Sequence, residues 1–187
     1  MSVVSPKLFL LLLLTLLIAF LANPFDPNKK YSSSKFWKSA TLESVSEIPK
    51  EVLSPGNTNG PVLMWAAGIT DDVRIISALV DRGADVNDAD PIFLGTPLTA
   101  AASDNPNTKI IDELMKLGAD INKTVNNNED ALMLAARFNN NPQIIETLFS
   151  HGANIKHKND DGKTALDLAI SHGNSVAENA LRKLMKK

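Results

Sequence analysis

One short pattern occurs four times along the chain at a nearly fixed interval, and a period of that length restricts the fold more than any other feature. The copies read PVLMWAAG at 61–68, TPLTAAAS at 96–103, DALMLAAR at 130–137 and TALDLAIS at 164–171. Their leucines, Leu63, Leu98, Leu132 and Leu166, lie 35, 34 and 34 residues apart, and Ala66, Ala101, Ala135 and Ala169 keep the same spacing. A second motif follows the first three copies: GADVN at 83–87, GADIN at 118–122 and GANIK at 152–156. A unit this short cannot bury its apolar side alone, so neighbouring units stack and share a continuous core. Such a chain is first of all a binder.

Each unit carries the start and stop signals of a helix pair. Thr96, Asp130 and Thr164 supply a side-chain oxygen where the first helix leaves N–H groups free. Pro97 follows at the first helical position, where its missing N–H is no loss. Paired small residues (Ala66-Ala67, Ala100-Ala101, Ala135-Ala136) let adjacent helices come close. The second helices are predicted in RIISALVDRG, KIIDELMKLG and QIIETLFSHG, where Ile110, Ile111, Leu114 and Met115 fall at helical spacing. Asp72, Asn107 and Asn141 are their expected N-caps, with Pro142 at the first helical position. Gly83, Gly118 and Gly152 are expected to end them in the left-handed conformation. The fourth copy is one residue shorter between its helices, which moves the cap to Asn174.

On these motifs the chain resembles the ankyrin repeat family, whose unit is a turn followed by two helices with a period of about 33 residues. The resemblance covers 35–187 and implies an all-α solenoid of helix-turn-helix pairs with β-hairpin loops. It divides into an N-terminal cap at 35–59, three repeats at 60–94, 95–128 and 129–161, and a C-terminal cap at 162–187. Val86, Ile121 and Ile155 are expected to plug between neighbouring repeats. Pro61-Val62 stands where Thr-Pro is the pattern, so the first helix of repeat one lacks the usual cap. The stretch 88–95 after GADVN is one residue longer than its equivalents. Thr41 with Ser44 is expected to open a short helix in the degenerate cap, and Trp37 to staple that cap over the first repeat. Trp65 has core packing as its expected role. A tetratricopeptide array shares the interval, but its W-x-x-L-G-x-x-Y signature is absent.

Leu8 to Ala22 form an apolar run behind Lys7, the arrangement of a secretory signal and short for a bilayer span. Residues 1–22 are therefore expected to be a signal peptide or, if retained, an inner-membrane anchor, and 23–34 a flexible tether. A periplasmic or secreted location follows. The net charge of −2 becomes −3 once Lys7 is removed, which argues against nucleic acid or anionic lipid as the main partner. The chain has no cysteine. It therefore has no disulfide and no lipobox, and a bacterial envelope suits it better than the eukaryotic secretory route. In the sequon Asn122-Lys123-Thr124, the asparagine is assigned to bonding the hairpin backbone and not to a glycan.

No catalytic or cofactor-binding constellation is present. His151, His157 and His172 have no second ligand at metal-binding spacing. Asp85 and Asp120 belong to the hairpin motif, and NDDGKTALDLA at 159–169 lacks the spacing and terminal glutamate of a calcium loop. The chain is thus expected to be no enzyme and to hold no metal.

The resemblance directs attention to the concave face, lined by the hairpin tips (57–60, 91–95, 126–129, 160–163) and the ends of the first helices. Those ends are assigned as Gly68-Ile69, Ala102-Ser103, Arg137-Phe138 and Ser171-His172. Pro91-Ile92-Phe93-Leu94 puts large apolar side chains in a tip. Ile69, Ile92, Phe93, Leu94 and Phe138 are expected to form an apolar patch, with Asn126, Asn127 and Arg137 as its polar rim. By analogy with small exported bacterial ankyrin proteins, the expected function is inhibition or immunity. The partner would be a periplasmic enzyme such as a cell-envelope hydrolase, bound by a monomer. A membrane-anchored scaffold and a secreted effector are the alternatives.

Overall fold

The computed structural model describes residues 29–53, 61–90 and 95–186. The proposed signal at 1–22, the tip at 57–60 and the residues Ile92, Phe93 and Leu94 lie outside these. The described residues form eleven α-helices and no strand. The N-terminal cap contributes α1 (Ser34–Lys38), α2 (Leu42–Ser46) and α3 (Lys50–Leu53). Four helix pairs follow. They are α4 (Val62–Ile69) with α5 (Val73–Asp81), and α6 (Pro97–Asp104) with α7 (Thr108–Lys116). Next come α8 (Ala131–Phe138) with α9 (Pro142–Ser150), and α10 (Ala165–Ser171) with α11 (Ser175–Leu184).

The first helices stack in the order α4, α6, α8, α10, and the second helices in the order α5, α7, α9, α11. The repeated small residues make the first layer close-packed: Ala67, Ala102 and Ala136 are each 0% exposed, sealed by the following repeat. Ile75, Ile76 and Leu79 of α5 are buried, as are their counterparts in α7 and α9. Each is worth about 1.5–3 kcal/mol of transfer free energy. Val86, Ile121 and Ile155 pack half-buried against this core.

Local signals set the boundaries. Thr96 and Thr164 form capping boxes with Thr99 and Asp167, and the Asp130 carboxylate accepts from the Met133 N–H. Pro61, as expected, makes no side-chain cap bond. Gly83, Gly118 and Gly152 stand at φ 104, 94 and 93° and end the second helices. The hairpins close on single backbone bonds, such as Val125 N–H to Glu129 O at 2.8 Å and Asn159 N–H to Lys163 O at 3.0 Å.

Side-chain amides tie the repeats together. Asn105 Nδ2 donates to the carbonyls of Ala67 and Thr70 at 2.9 and 2.8 Å. One repeat later Asn139 Nδ2 donates to those of Ala102 and Asn105 at 2.9 and 3.0 Å. Asn174 Nδ2 continues to Asn139 O at 2.9 Å. The caps Asn107 and Asn141 reach back to the carbonyls of Asp71 and Pro106. In the shorter fourth copy Asn174 does both jobs, since its Oδ1 also accepts from the Ala177 N–H. Asn139, in the turn between α8 and α9, is thus a cross-tie between repeats. On the hairpin side Asn87 bonds the Gly118 carbonyl and the Asp120 N–H. Asn122, assigned the same role, does not repeat it: its side chain is exposed and its backbone N–H goes to Asp120.

The N-terminal cap is docked by the same logic. Thr41 and Ser44 form a capping box on α2, α1 packs on α4, and α2 packs on α5. Arg82 of the first repeat donates to the carbonyls of Ser46 and Ile48. Residues 29–34, read as the end of a tether, instead include a 3-10 turn at Lys29–Ser32 with Tyr31 buried. Trp37 holds that turn by donating from Nε1 to Tyr31 O at 2.8 Å. Phe36 meets the rings of both Tyr31 and Trp37 edge-on, and this cluster with its hydrogen bond offsets the entropy that a serine- and lysine-rich stretch otherwise keeps.

Candidate partner-binding face

Two linked grooves run across the exposed ends of the first helices. The first, of about 270 Å³, is lined by Met64, Trp65, Gly68 and Ile69 of α4, Ala100 of α6 and Leu134 of α8, among others. The second, of about 410 Å³, lies between Pro106 and the Phe138–Asn141 turn. Ser103 and Asp104 line both. Asp104 is the one ionisable side chain among the described lining residues.

Register explains this membership. Ile69, Asp104, Phe138 and His172 occupy equivalent positions, one per repeat. The sequence assignment of Ala102-Ser103 to this line was one residue early. Ala102 is 0% exposed because it faces the next repeat, and Ser103-Asp104 takes its place on the face. Ile69 and Phe138 therefore sit on the same face with a carboxylate between them.

Phe138 is 54% exposed, the largest apolar side chain left so open on the first helices. The Arg137 guanidinium lies 4.9 Å from its ring centroid, and the His172 ring meets it edge-on at 6.3 Å. Arg137 is committed elsewhere as well: it pairs with Glu129 at 2.6 Å, where the acid side chain is only 5% exposed. Such a pair is costly to break, about 3–5 kcal/mol, because the buried charge is left alone. Arg137 is thus held in place from beneath, with its Nε shielded and unbonded.

The tips of the third and fourth copies are knitted together. Asn127 and Asn128 adopt positive φ of 61 and 54°, a conformation asparagine tolerates. Asn127 Nδ2 donates to Asp161 Oδ2 at 3.0 Å, and the Asp160 N–H donates to Asn127 O at 3.2 Å. His157 Nε2 lies 2.9 Å from Asn128 O. Asn126 and Asn127 are exposed on this tip. Beneath it Asp130 is buried, and that burial raises its carboxyl above the usual aspartate value.

Of the eight residues expected on the face, Ile69, Arg137 and Phe138 border or line the helix-end region, and Asn126 and Asn127 crown a tip. Ile92, Phe93 and Leu94 lie outside the described residues. Sequence reading missed Asp104 and the groove beside Trp65. The even spacing Ile69, Asp104, Phe138 would have revealed the first, while nothing local marks the second. Trp65 packs half-buried against the core, as expected, but its Nε1–H is shielded and has no acceptor. His151 and His157 link neighbouring repeats, His151 Nε2 lying 2.8 Å from Asp112 Oδ1, while His172 Nδ1 lies 3.0 Å from Leu168 O of its own helix. Among the described residues no group of three His, Cys, Asp or Glu side chains is placed to hold a metal ion.

The family model for ankyrin repeats, three copies, matches residues 63–159 and 98–187, more than half of the chain. No curated protein matches the chain.

Proposed function

The chain belongs to the ankyrin repeat family, and from that premise we propose an exported module that docks on another protein of its compartment and covers a working surface of it. Ankyrin repeats are protein–protein interaction modules, and in this chain the grooved face is the surface offered. The most concrete form is an inhibitor or immunity-type partner of a periplasmic enzyme, a cell-envelope hydrolase being the class in view. The observation that carries the reading is Phe138, over half exposed beside a groove while Leu132 of its helix is buried and Leu134 half-buried. A large aromatic held open at the centre of a face is the kind of anchor that dominates interface energetics. Export is supported by the apolar run Leu8 to Ala22 behind Lys7 and by a chain free of cysteine.

Affinity capture from the native envelope with the full chain tests this, followed by assay of any captured enzyme with and without the protein. Capture of an enzyme whose activity falls on binding, and loss of both effects in Phe138→Asp with an unchanged thermal transition, is the expected result. An enzyme captured equally well by Phe138→Asp would remove the anchor from the reading. N-terminal sequencing should find a start after Ala22; an intact Met1 would favour an anchored scaffold.

A further inference from the structure

The groove beside Trp65 carries three features that packing alone does not account for. Gly68 lies inside α4 with helical φ, and a methyl group added there would meet Ala100 O, Ala100 Cβ and Asp104 Oδ2 at 3.6–3.7 Å, ordinary contact. Alanine would therefore fit and would favour the helix by up to about 1 kcal/mol. The other copies carry Ser103, Arg137 and Ser171 at this position. Glycine keeps the groove open. Next, the Trp65 Nε1–H is shielded from water without an acceptor, a state that costs about 1–3 kcal/mol. A carbonyl seated in the groove recovers that when the indole tilts towards it. Last, the Asp104 carboxylate leans over Gly68 and makes no ion pair or hydrogen bond among the described residues.

We propose that this groove takes an extended segment of the partner protein that carries a basic side chain two residues from an apolar one. In an extended chain, alternate side chains point to the same side, roughly 7 Å apart. The apolar side chain fills the space over Gly68 and Ala100, and the basic one reaches Asp104. A main-chain carbonyl accepts from Trp65. Charge complementarity selects the occupant, since the lining offers a single uncompensated carboxylate and otherwise apolar or neutral groups. The inference rests on the protein-binding reading above and specifies the partner's chemistry.

The test uses the purified full-length chain and a positional-scanning library of acetylated, amidated hexapeptides, read through the two indole N–H resonances. The chain has two tryptophans, and Trp37, bonded to Tyr31 O, is the internal control. Peptides with Leu or Met two residues from Arg or Lys should move the Trp65 signal and leave that of Trp37 in place. Gly68→Leu should lower affinity at least tenfold. Asp104→Lys, a surface change that leaves the core intact, should turn the preference to Asp- and Glu-bearing peptides. Equal response to basic and acidic peptides, no shift of the Trp65 signal at millimolar peptide, or an unchanged preference in Asp104→Lys would each overturn the proposal. Partner capture separates the two readings. If wild type and Gly68→Leu capture the same enzyme equally, the groove assignment fails and the protein-binding reading stands. If wild type captures nothing, the latter fails.

Discussion

Asn139→Ala should be among the most damaging single changes outside the apolar core. The side chain is buried, 6% exposed, and makes three hydrogen bonds across two repeats. Its Nδ2 donates to Ala102 O and Asn105 O at 2.9 and 3.0 Å, and its Oδ1 accepts from the Asn141 N–H at 2.9 Å. A net of roughly 0.5–1.5 kcal/mol for each of the three bonds gives about 1.5–4.5 kcal/mol, with the stranded carbonyls placing the value in the upper half. Urea unfolding followed by circular dichroism measures it, with exposed Asn140→Ala as the reference, expected within about 0.5 kcal/mol of wild type. Asn139→Asp refines the test. Its carboxylate keeps the acceptor for Asn141 but faces two carbonyls, so above pH ~4 the loss should exceed that of alanine. A loss below about 1 kcal/mol in Asn139→Ala, or an aspartate variant as stable as wild type, would refute the cross-tie as a source of stability.

Gly118→Ala forces a side chain into φ 94° and should cost about 1–2 kcal/mol in thermal or urea unfolding, although no atom crowds the added methyl. Thr96→Ala removes a buried capping box and should cost about 0.5–2 kcal/mol, measured in the same way. Asp130 has a carboxyl raised chiefly by burial, with its cap bond to Met133 pulling the other way. A raised folded-state value means this group opposes stability at neutral pH, and the opposition fades as pH falls through that value towards 3.8, the ordinary one. Asp130→Asn keeps the cap and should be at least as stable as wild type at pH 7, the gap closing below about pH 4; a pH series of urea midpoints decides it. Asp72, Glu113 and Asp167 have the opposite sense, lowered first by bonds from Arg74, Ser77 and Thr164 respectively. Their contribution is present above the unfolded-state values and lost as pH falls through the folded ones, so Glu113→Gln should flatten the acid limb of the stability curve.

The repeat frame was legible because its signals are local. A threonine before a proline, a glycine after an apolar stretch and an alanine pair each act within one or two turns, so Thr96, Gly118 and Ala135 could be placed from the string alone. The cross-ties were not, although Asn105, Asn139 and Asn174 recur at the repeat interval. A turn asparagine has a sufficient local explanation, while its actual acceptors lie 34 to 38 residues upstream. On the grooved face a slip of one position named the pair Ala102-Ser103 in place of Ser103-Asp104, and neighbours on a helix point about 100° apart. That exchanged a buried methyl for the carboxylate at the centre of the grooves. Tyr31 was invisible as an anchor because its serine- and lysine-rich surroundings read as a linker, while its place comes from Phe36 and Trp37, which meet it from the next helix.

Asp71 and Pro106 give their carbonyls to Asn107 and Asn141, yet both residues are exposed. What the assembly needs from these two positions is main chain. In a chain with no cysteine of its own, a thiol introduced at either point would be the sole attachment handle. A pair of dyes there would act as a ruler between consecutive units, reporting whether they part before the rest of the molecule unravels.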